Sequence, residues 1–436
     1  MIKNASERQI KMDLRKSQKV CQQLDTDEML VVPPDYTDYA SYFSDTLRFL
    51  SDYSWLYNFA NTNLLVCKVL DKVPQDWSSA LLSLSNEELN RLPQGFMKQL
   101  KIPVRIAVKH DNKVPSKIQK GLTPKKQHEI SSLAAFVNSE CSVQEITNVL
   151  DVGSGLLLSY EYGFSIIGLE SQPERVKTAH TRQTLLCHTS TVTHITCNVA
   201  ADSKHVVESA LQNANKPTCL VGLHACGDLA VSAIQLFLRI SLLETMVLVP
   251  CCYHKMELSE ENEFVNFPLS ASLRDMVSSS GKSFLSRPFL RLASQESAIK
   301  WQNMTKEEHG LHSENTMAQG VVLKKKHRRA VKKTNRSEFH NFMEDALSRY
   351  EFQTEAAFDI SSARNKMIDM WNEHKHSCRL VEAITALQMA IQTIAEGFVI
   401  ADRAAYLLEN GISSVEVVKV MDNVLSPRCY ALVAKK

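Results

Sequence analysis

One segment, from Asn148 to Glu170, constrains the fold of this chain more than any other. Its sequence, NVLDVGSGLLLSYEYGFSIIGLE, is an apolar run, a glycine turn, a short helical segment and a second apolar run that ends on an acidic residue. A strand, a glycine turn, a helix and a strand in this order begin a nucleotide-type α/β binding unit. Glycine-rich matches of this length are weak alone, so a plain strand-to-helix turn of a doubly wound protein also fits.

Four residues of this unit are candidate cofactor-binding residues, namely Asp151, Gly153, Gly155 and Glu170. The glycines let the backbone approach a ligand without an intervening Cβ, and the next helix directs free N–H groups at anionic atoms. The carboxylate that closes the second strand accepts hydrogen bonds from ribose hydroxyls. The segment therefore predicts a cofactor crevice at these residues.

Apolar runs at regular spacing predict the rest of the sheet. The expected strands are 147–152, 164–169, 193–198, 218–223 and 245–251. Because helical segments separate them, we expect an α/β fold, with a parallel sheet covered by helices on both faces. Near the end of the chain, a long helix is expected to end at Gly411, and Tyr430 to Ala434 predict a last strand.

The length of 436 residues predicts one large α/β domain and a smaller helical region. Apolar residues recur at helical spacing from Tyr39 to about Met97, so residues 1–120 form the helical region. We expect its aromatic side chains to form a packed core rather than to stack on bases. Thr123 and Pro124 predict the start of a further helix. Residues 121–323 are the first part of the α/β domain, and 337–436 complete it with helices and the last strand.

A basic segment, KKKHRRAVKKTNR at residues 324–336, separates these two parts and has Lys or Arg at eight of thirteen positions. It is interpreted as an exposed loop that serves in nuclear import or RNA contact, or as a solvated insertion. The whole chain is nearly balanced, with 50 basic and 48 acidic residues and a net charge of +2. A uniformly basic nucleic-acid binder is thereby disfavoured, and any polyanion site must be local.

Eleven cysteines, an odd number in a long chain, fit free thiols in a reducing compartment. The polar start MIKNASERQIKMDLRKSQKV lacks the apolar centre of a signal peptide. We also expect no apolar run near the roughly 20 residues that a membrane helix needs. These features predict a cytoplasmic or nuclear protein with no membrane partner, and they leave the oligomeric state open.

Five further blocks carry a family resemblance. They are LTPKKQHEI (122–130), CLVGLHACGDLA (219–230), MVLVPCCYHK (246–255), ADRAAYLLENG (401–411) and LSPRCYALVAKK (425–436). Together they resemble the methyltransferase-like 25 family, S-adenosylmethionine-dependent methyltransferases of the Rossmann-like class. The resemblance implies a seven-stranded sheet with the methyl donor, S-adenosyl-L-methionine, at its carboxyl edge. It also places Lys125, Lys126 and His128 near the donor site, as candidate phosphate or substrate contacts, although a solvated basic first turn is an equal alternative.

The glycine turn departs from the family pattern, which reads roughly D-x-G-S-G-K-G-x-L-S. Here Asp151 to Gly155 run directly into Leu156, so about five residues are missing, including the third glycine. Five helical residues span about 7.5 Å, and we expect the helix to be shortened at its ligand end. A weakened or absent methyl-transfer activity follows as a hypothesis.

Reactive side chains follow two of the predicted strands. They are His224, Cys226 and Asp228 after one strand, and Cys251, Cys252, Tyr253 and His254 after the next. A zinc site is one interpretation, but the paired C-x₂-C spacing of such sites is absent, so no metal is predicted. The favoured interpretation is a methyl-acceptor pocket.

In that pocket His254 or Asp228 would take a proton from the acceptor, and Tyr253 would stack on a base-like substrate. His224 is assigned to the cofactor. Later in the chain Asp402 and Arg403 are expected to hold a helix against neighbouring backbone, and Arg428 is expected to be open to an anion.

The predicted function is S-adenosylmethionine-dependent methyl transfer. RNA is the first candidate acceptor, because of the basic segments and because HACGD and CCYH resemble blocks of RNA-modifying relatives. A protein or a small molecule remains open as acceptor. The alternative is a catalytically impaired methyltransferase-fold module that binds RNA or a protein partner. A nicotinamide-dependent oxidoreductase is disfavoured, since the later strand-end blocks match the methyltransferase group.

Overall fold

The structure is a computed structural model. It describes residues 31–59, 63–95, 97–108, 114–119, 121–152, 156–186, 192–200, 202–212, 215–280, 284–295, 298–318, 323–325, 339–352 and 359–436.

A mixed sheet organises the described part of the chain. Its strands are β1 (Arg105–Ile106), β2 (Asn148–Asp151), β3 (Ser165–Glu170), β4 (Val192–Thr196), β5 (Thr218–Cys226), β6 (Leu243–Cys251), β9 (Ser414–Lys419) and β10 (Tyr430–Lys435). Two short strands, β7 (Leu323–Lys325) and β8 (Tyr350–Phe352), pair separately with each other.

The strand order is β1-β9-β10-β6-β5-β2-β3-β4. Strands β2 to β6 are mutually parallel, whereas β10 runs antiparallel to both β6 and β9. The predicted α/β sheet is confirmed, and all five strands expected in its parallel part are present. The sheet has eight strands rather than seven because β1, from the N-terminal region, adds to the edge beside β9.

Helices cover both faces of the sheet. They are α1 (Tyr39–Asp52), α2 (Gln75–Leu82), α3 (Asn86–Gly95), α4 (Ser116–Gln119), α5 (Pro124–Val143), α6 (Leu156–Tyr162), α7 (Pro173–Leu186), α8 (Lys204–Gln212), α9 (Asp228–Arg239), α10 (Ala271–Ser280), α11 (Arg287–Ala293), α12 (Ala298–Gln302), α13 (Lys306–Ala318), α14 (Phe339–Arg349), α15 (Ile360–His374) and α16 (Cys378–Glu409).

Local sequence signals explain where two functionally important helices begin and end. Helix α5 starts as predicted, because the Thr123 hydroxyl accepts a hydrogen bond from the Lys126 N–H and Pro124 occupies the first turn. Helix α16 ends at Glu409, and Gly411 follows with a φ of +85°, a conformation that glycine adopts without strain.

The N-terminal helical region is present and packs against α16. The Phe43 ring of α1 meets the Phe398 ring of α16 edge-on, with centroids 5.5 Å apart. Tyr42 and Phe43 are fully buried, which fits a packed core rather than exposed stacking surfaces. The region therefore shares one hydrophobic core with the helices on this face of the sheet, instead of enclosing a core of its own.

One helical stretch, Arg364–Glu409, contains an 18-residue window with a mean hydropathy of 1.4, so by length and composition it could cross a membrane. The expectation that no segment had such a length was therefore wrong. Its apolar window is 89% buried inside the fold, where helices and the sheet surround α16. A helix that is buried on all sides carries apolar residues on all sides, so packing accounts for its high apolar content.

Candidate functional site

The carboxyl ends of the five parallel strands form one edge of the sheet. The strand order reverses between β2 and β5, with β3 and β4 on one side and β6 on the other. Ligands of doubly wound sheets bind at such a reversal, where the helices leave the sheet in opposite directions. The residues that end β2 and β3 are Asp151 and Glu170, as the sequence predicted, and Cys226 and Cys251 end β5 and β6.

Asp151 lies buried at the end of β2, with 6% of its surface exposed. Burial raises the pKa of its carboxyl group to about 7, against the opposing effect of the positive charge of Lys126. Because Lys126 belongs to the first turn of α5, the start of that helix is brought to the edge of the sheet at β2. Gly153 and Gly155 lie outside the described residues.

Glu170 is held in a fixed direction at the end of β3. Its Oε1 accepts hydrogen bonds from the Gln172 N–H at 3.1 Å and from the Ser171 hydroxyl at 3.2 Å. The Arg175 guanidinium lies 3.7 Å from Oε2. The carboxylate is therefore tied to the first turn of α7, beside Asp151 on the neighbouring strand.

A polar network that the sequence analysis missed links α5 to β5 and to the turn before β10. Glu129 of α5 is 2% exposed, and its Oε2 lies 3.0 Å from His224 Nε2. The Ser426 hydroxyl donates to Glu129 Oε1 at 2.8 Å, and Lys125 Nζ lies 3.7 Å from the same oxygen. Burial opposes ionisation of Glu129, but these partners outweigh it and lower the pKa of the carboxyl group to about 2.

A sequence signal for Glu129 did exist. On α5 it precedes the buried Leu133, Val137 and Cys141 at spacings of four residues, so it falls on the apolar stripe of the helix. A carboxylate on such a stripe requires a partner, because burying an unpaired charge is costly.

Replacement of Glu129 by glutamine is expected to lower the free energy of unfolding by about 2 kcal/mol at pH 7. Because the pKa of Glu129 lies below its unfolded value of 4.5, its contribution is complete above that pH and is lost as the pH falls toward 2. The difference between variant and wild type, measured by urea unfolding, should therefore shrink between pH 5 and pH 3. Glu174→Gln, at an exposed position on α7, serves as the control, and an equal loss there would contradict the network.

The predicted contacts on α5 and β5 lie near one another, but His224 and His128 each use Nε2 to hold the fold, and Lys125 lies near Glu129. His224 adopts a left-handed φ of 61° at a bulge in β5, and its Nε2 faces Glu129. His128 Nε2 accepts a hydrogen bond of 2.9 Å from the Asp422 N–H, so this nitrogen fixes the loop before β10. Lys125 keeps about half of its surface exposed and remains accessible to a ligand.

Tyr253 cannot stack on a substrate in this structure, which corrects that prediction. Its side chain is 1% exposed, and the Arg403 guanidinium lies over the ring at 5.3 Å from the centroid. Asp228 is likewise committed, because its Oδ2 accepts from the Glu257 N–H at 2.8 Å and its Oδ1 from Asn266 Nδ2 at 2.9 Å. Both residues thus position the loop after β6 rather than face an acceptor.

His254 alone among the three predicted catalytic residues retains an uncommitted basic atom. Its Nδ1 is buried and has no hydrogen-bond partner in the part of the chain that the structure describes. Burial, and then the positive charges of Arg291, Lys255 and Arg287, lower the pKa of its imidazole. The ring is therefore neutral near pH 7 and able to accept a proton.

Two late motifs have structural roles. Asp402 accepts hydrogen bonds from the N–H groups of Leu269 and Ser270, at 2.8 and 2.9 Å, so it holds α16 against neighbouring backbone as predicted. Arg428, however, is not open to an anion. It is 8% exposed, and it donates to Glu396 Oε1 at 2.6 Å and to the Ala293 carbonyl at 2.7 Å. The sequence could not reveal this pairing, because the partners come from separate helices.

A cleft of about 250 Å³ opens between the middle of α16 and the first residue of β10. Its polar lining includes the amides Gln94, Gln302, Gln392 and Asn423, the hydroxyl residues Thr393 and Tyr430, and the charged residues Lys101 and Glu396. Because β10 is antiparallel to β6, its first residues lie at the edge where β6 ends. The cleft is therefore on the β6 side of the strand-order reversal, and Asp151 and Glu170 are on the other.

Comparison with known proteins finds similarity in the part of the chain that carries this edge. Residues 125–259 match a family model described as a methyltransferase domain. Probable methyltransferase-like protein 25 of Mus musculus is 28% identical over 269 residues, which cover 56% of this chain and 41% of the mouse protein. The Homo sapiens protein of the same name is 27% identical over 263 residues, which cover 56% of this chain and 40% of the human protein. These matches span about two fifths of the length of either relative.

Proposed function

Starting from a methyltransferase domain related to that of methyltransferase-like protein 25, we propose that this chain transfers a methyl group from S-adenosyl-L-methionine. The observation that carries the proposal is the pair of carboxyl groups, Asp151 and Glu170, on adjacent strands at the reversal of strand order. The donor is cationic at its sulfonium and amino groups and carries ribose hydroxyls. Carboxylates at these two strand ends fit both features.

In this proposal Glu170 binds the ribose hydroxyls, because its carboxylate is already oriented by the first turn of α7. Asp151 ends β2, the strand next to the reversal of strand order, and it stabilises the cationic sulfonium and amino groups of the donor. The donor supplies an electrophilic methyl group. The protein must then hold an acceptor atom in line with it and remove the proton that the acceptor loses. Of the three predicted catalytic residues, His254 is the base in this proposal, because its imidazole is neutral and its side chain is partly exposed.

We propose the cleft beside β10 as the acceptor site. The amide side chains of Gln94 and Gln302 offer both donors and acceptors, which suits the edge of a planar base or another amide-like group. Gln392 is buried and donates to Glu396, and Asn423 accepts from Lys419, so these two amides shape the wall of the cleft. Lys101 is buried enough for the pKa of its ammonium group to fall to about 8, so it remains a cation at neutral pH. These groups support RNA as the first candidate acceptor. The basic segment 324–336 lies outside the described residues except for Lys324 and Lys325.

One observation favours a second function, a methyltransferase-fold module that binds RNA or a protein without turnover. Helix α6 after the donor turn has only seven residues, which fits the shortening expected from the missing five residues. Its Leu157 and Leu158 are buried, so the helix cannot shift along its axis without disturbing the core. A shortened donor turn followed by a helix that cannot move to compensate would bind the methyl donor weakly.

Isothermal titration with S-adenosyl-L-methionine tests the proposal. We expect weak binding by the unaltered chain and binding at least ten-fold tighter after five residues of the family pattern are inserted behind Gly155. Transfer of a radiolabelled methyl group to a total RNA fraction should likewise be faster with the insertion than with the unaltered chain. Tight binding by the unaltered chain would contradict an impaired loop. If neither form bound the donor, the enzyme proposal would fail and the binding module would be favoured.

A further inference from the structure

Three thiols from neighbouring strand ends converge on the β6 side of the edge. The sulfur atoms of Cys226, Cys251 and Cys252 all lie within 4.8 Å of one another, and those of Cys226 and Cys251 are 3.1 Å apart. All three are free cysteines. Cys251 is buried, whereas Cys226 and Cys252 are partly exposed. One thiol of the group is therefore fixed in the protein interior, and the other two can be reached from solvent.

The backbone explains why these side chains meet. Cys226 and Cys251 are direct partners in the parallel pairing of β5 and β6. Cys252 follows with a left-handed φ of 50°, which turns the chain back sharply after the strand. Gly227 has a φ of +55°, and a Cβ there would lie 3.2 Å from the Lys255 backbone carbon. Only glycine lets the loops after β5 and β6 approach this closely. Unusual backbone at two adjacent strand ends is typical of functional sites.

We propose that Cys226, Cys251 and Cys252 bind one thiophilic metal ion, Zn²⁺. Thiolate ligands select Zn²⁺ among the common divalent ions. In a tetrahedral site with Zn–S bonds of about 2.3 Å, two sulfurs lie about 3.8 Å apart. The Cys226–Cys251 separation must widen by about 0.7 Å, and no sulfur pair need contract by more than about 1 Å, changes of the size that side-chain rotations produce.

The charges at this site also favour a metal ion. Each thiol loses its proton on binding, so three thiolates and Zn²⁺ leave a net charge of −1. Lys255 acts on both Cys226 and Cys252 with its positive charge and offsets this excess. The fourth position is left to water, as in zinc sites with three protein ligands.

The inference goes beyond the proposed methyl transfer, since it needs neither the donor nor an acceptor. It differs from the sequence prediction of no metal, which rested on the absence of a C-x₂-C pair. The tertiary structure supplies the missing proximity by placing two strand ends side by side, 25 residues apart in the chain. The site lies beside His254, so an occupied metal position would border the acceptor side of the edge.

Cobalt titration of the reduced, chelator-treated full chain tests the site. We expect thiolate-to-cobalt absorption that saturates at one Co²⁺ per chain and is lost on addition of Zn²⁺. The double variant Cys226→Ser/Cys252→Ser should lose this absorption, whereas Cys378→Ser, at a partly exposed cysteine of α16, should keep it. Absence of the absorption in the wild-type chain, or its persistence in the double variant, would overturn the proposal.

A second measurement uses only the wild-type chain, so it holds even if the double variant fails to fold. Zn²⁺ should slow alkylation of Cys226 and Cys252 at least ten-fold, as followed by peptide mass spectrometry. Cys67 and Cys378 should react at unchanged rates. Equal rates with and without Zn²⁺ would rule out the site. Because donor titration is a separate measurement, failure of the metal proposal is distinguishable from failure of methyl transfer.

Discussion

Replacement of Asp151 by asparagine is expected to abolish measurable methyl-donor binding and, at the same time, to stabilise the free protein above pH 7. The buried carboxyl group has a pKa of about 7, compared with 3.8 in the unfolded chain. One pKa unit corresponds to about 1.4 kcal/mol, so the variant should gain up to about 4 kcal/mol at pH 8. Effects of opposite sign would mark Asp151 as a residue retained for binding at the expense of stability.

The gain in stability of the Asp151→Asn variant should depend on pH. A carboxyl group whose folded pKa is raised binds its proton more tightly in the folded state, so its destabilising effect begins above pH 3.8 and is complete only above pH 7. The difference in unfolding free energy between Asp151→Asn and wild type should therefore grow from pH 5 to pH 8. A cationic donor favours the ionised carboxylate, so wild-type binding should strengthen over the same range.

Urea unfolding at several pH values and isothermal titration measure the two effects. Asp275→Asn, at an exposed position on α10, is the matched control and should change neither quantity. If Asp151→Asn bound the donor as wild type does, the placement of the donor beside β2 would be wrong. A stability difference independent of pH would contradict the raised pKa.

Replacement of Arg428 by methionine is expected to lower the free energy of unfolding by about 3–5 kcal/mol. Arg428 and Glu396 are both almost fully buried, with side chains 9% and 6% exposed. Removal of the guanidinium leaves a carboxylate inside the core and also frees the carbonyl groups of Ala293 and Gln295, to which Arg428 donates. Burial already raises the pKa of Glu396 against the opposing positive charge of Arg428, so loss of that charge in the variant should raise the pKa of this carboxyl group further.

A double-mutant cycle separates the ion pair from the carbonyl contacts. Arg428→Met combined with Glu396→Gln should recover part of the loss, because no buried charge then lacks a partner. Arg91→Met provides the surface control, since Arg91 and its partner Glu87 are each more than 70% exposed and such pairs contribute less than about 1 kcal/mol. A loss at Arg428 no greater than at Arg91 would contradict the structural role assigned here and restore Arg428 as a candidate anion contact.

The fold was largely predictable because its signals are local. Apolar runs placed β2 to β6 and β10, and Thr123 with Pro124 placed the start of α5. Strand β9 was missed, although its sequence SVEVVK contains β-branched residues, because it follows directly on a helix end. Strand β1 has only two residues, and its pairing with β9 depends on tertiary contact. Short edge strands carry too little periodicity to be recognised in a sequence.

By itself, the sequence determined the order of the parallel strands β2 to β6, the last strand β10, the carboxyl groups that end β2 and β3, and the family resemblance. The tertiary structure alone decided which polar side chains face a ligand and which hold the fold together. It paired Glu129 with His224 and Glu396 with Arg428, and it buried Tyr253 beneath Arg403. The physical reason is that apolar periodicity repeats every few residues, whereas the partner of a buried charge can come from any element that packing brings near.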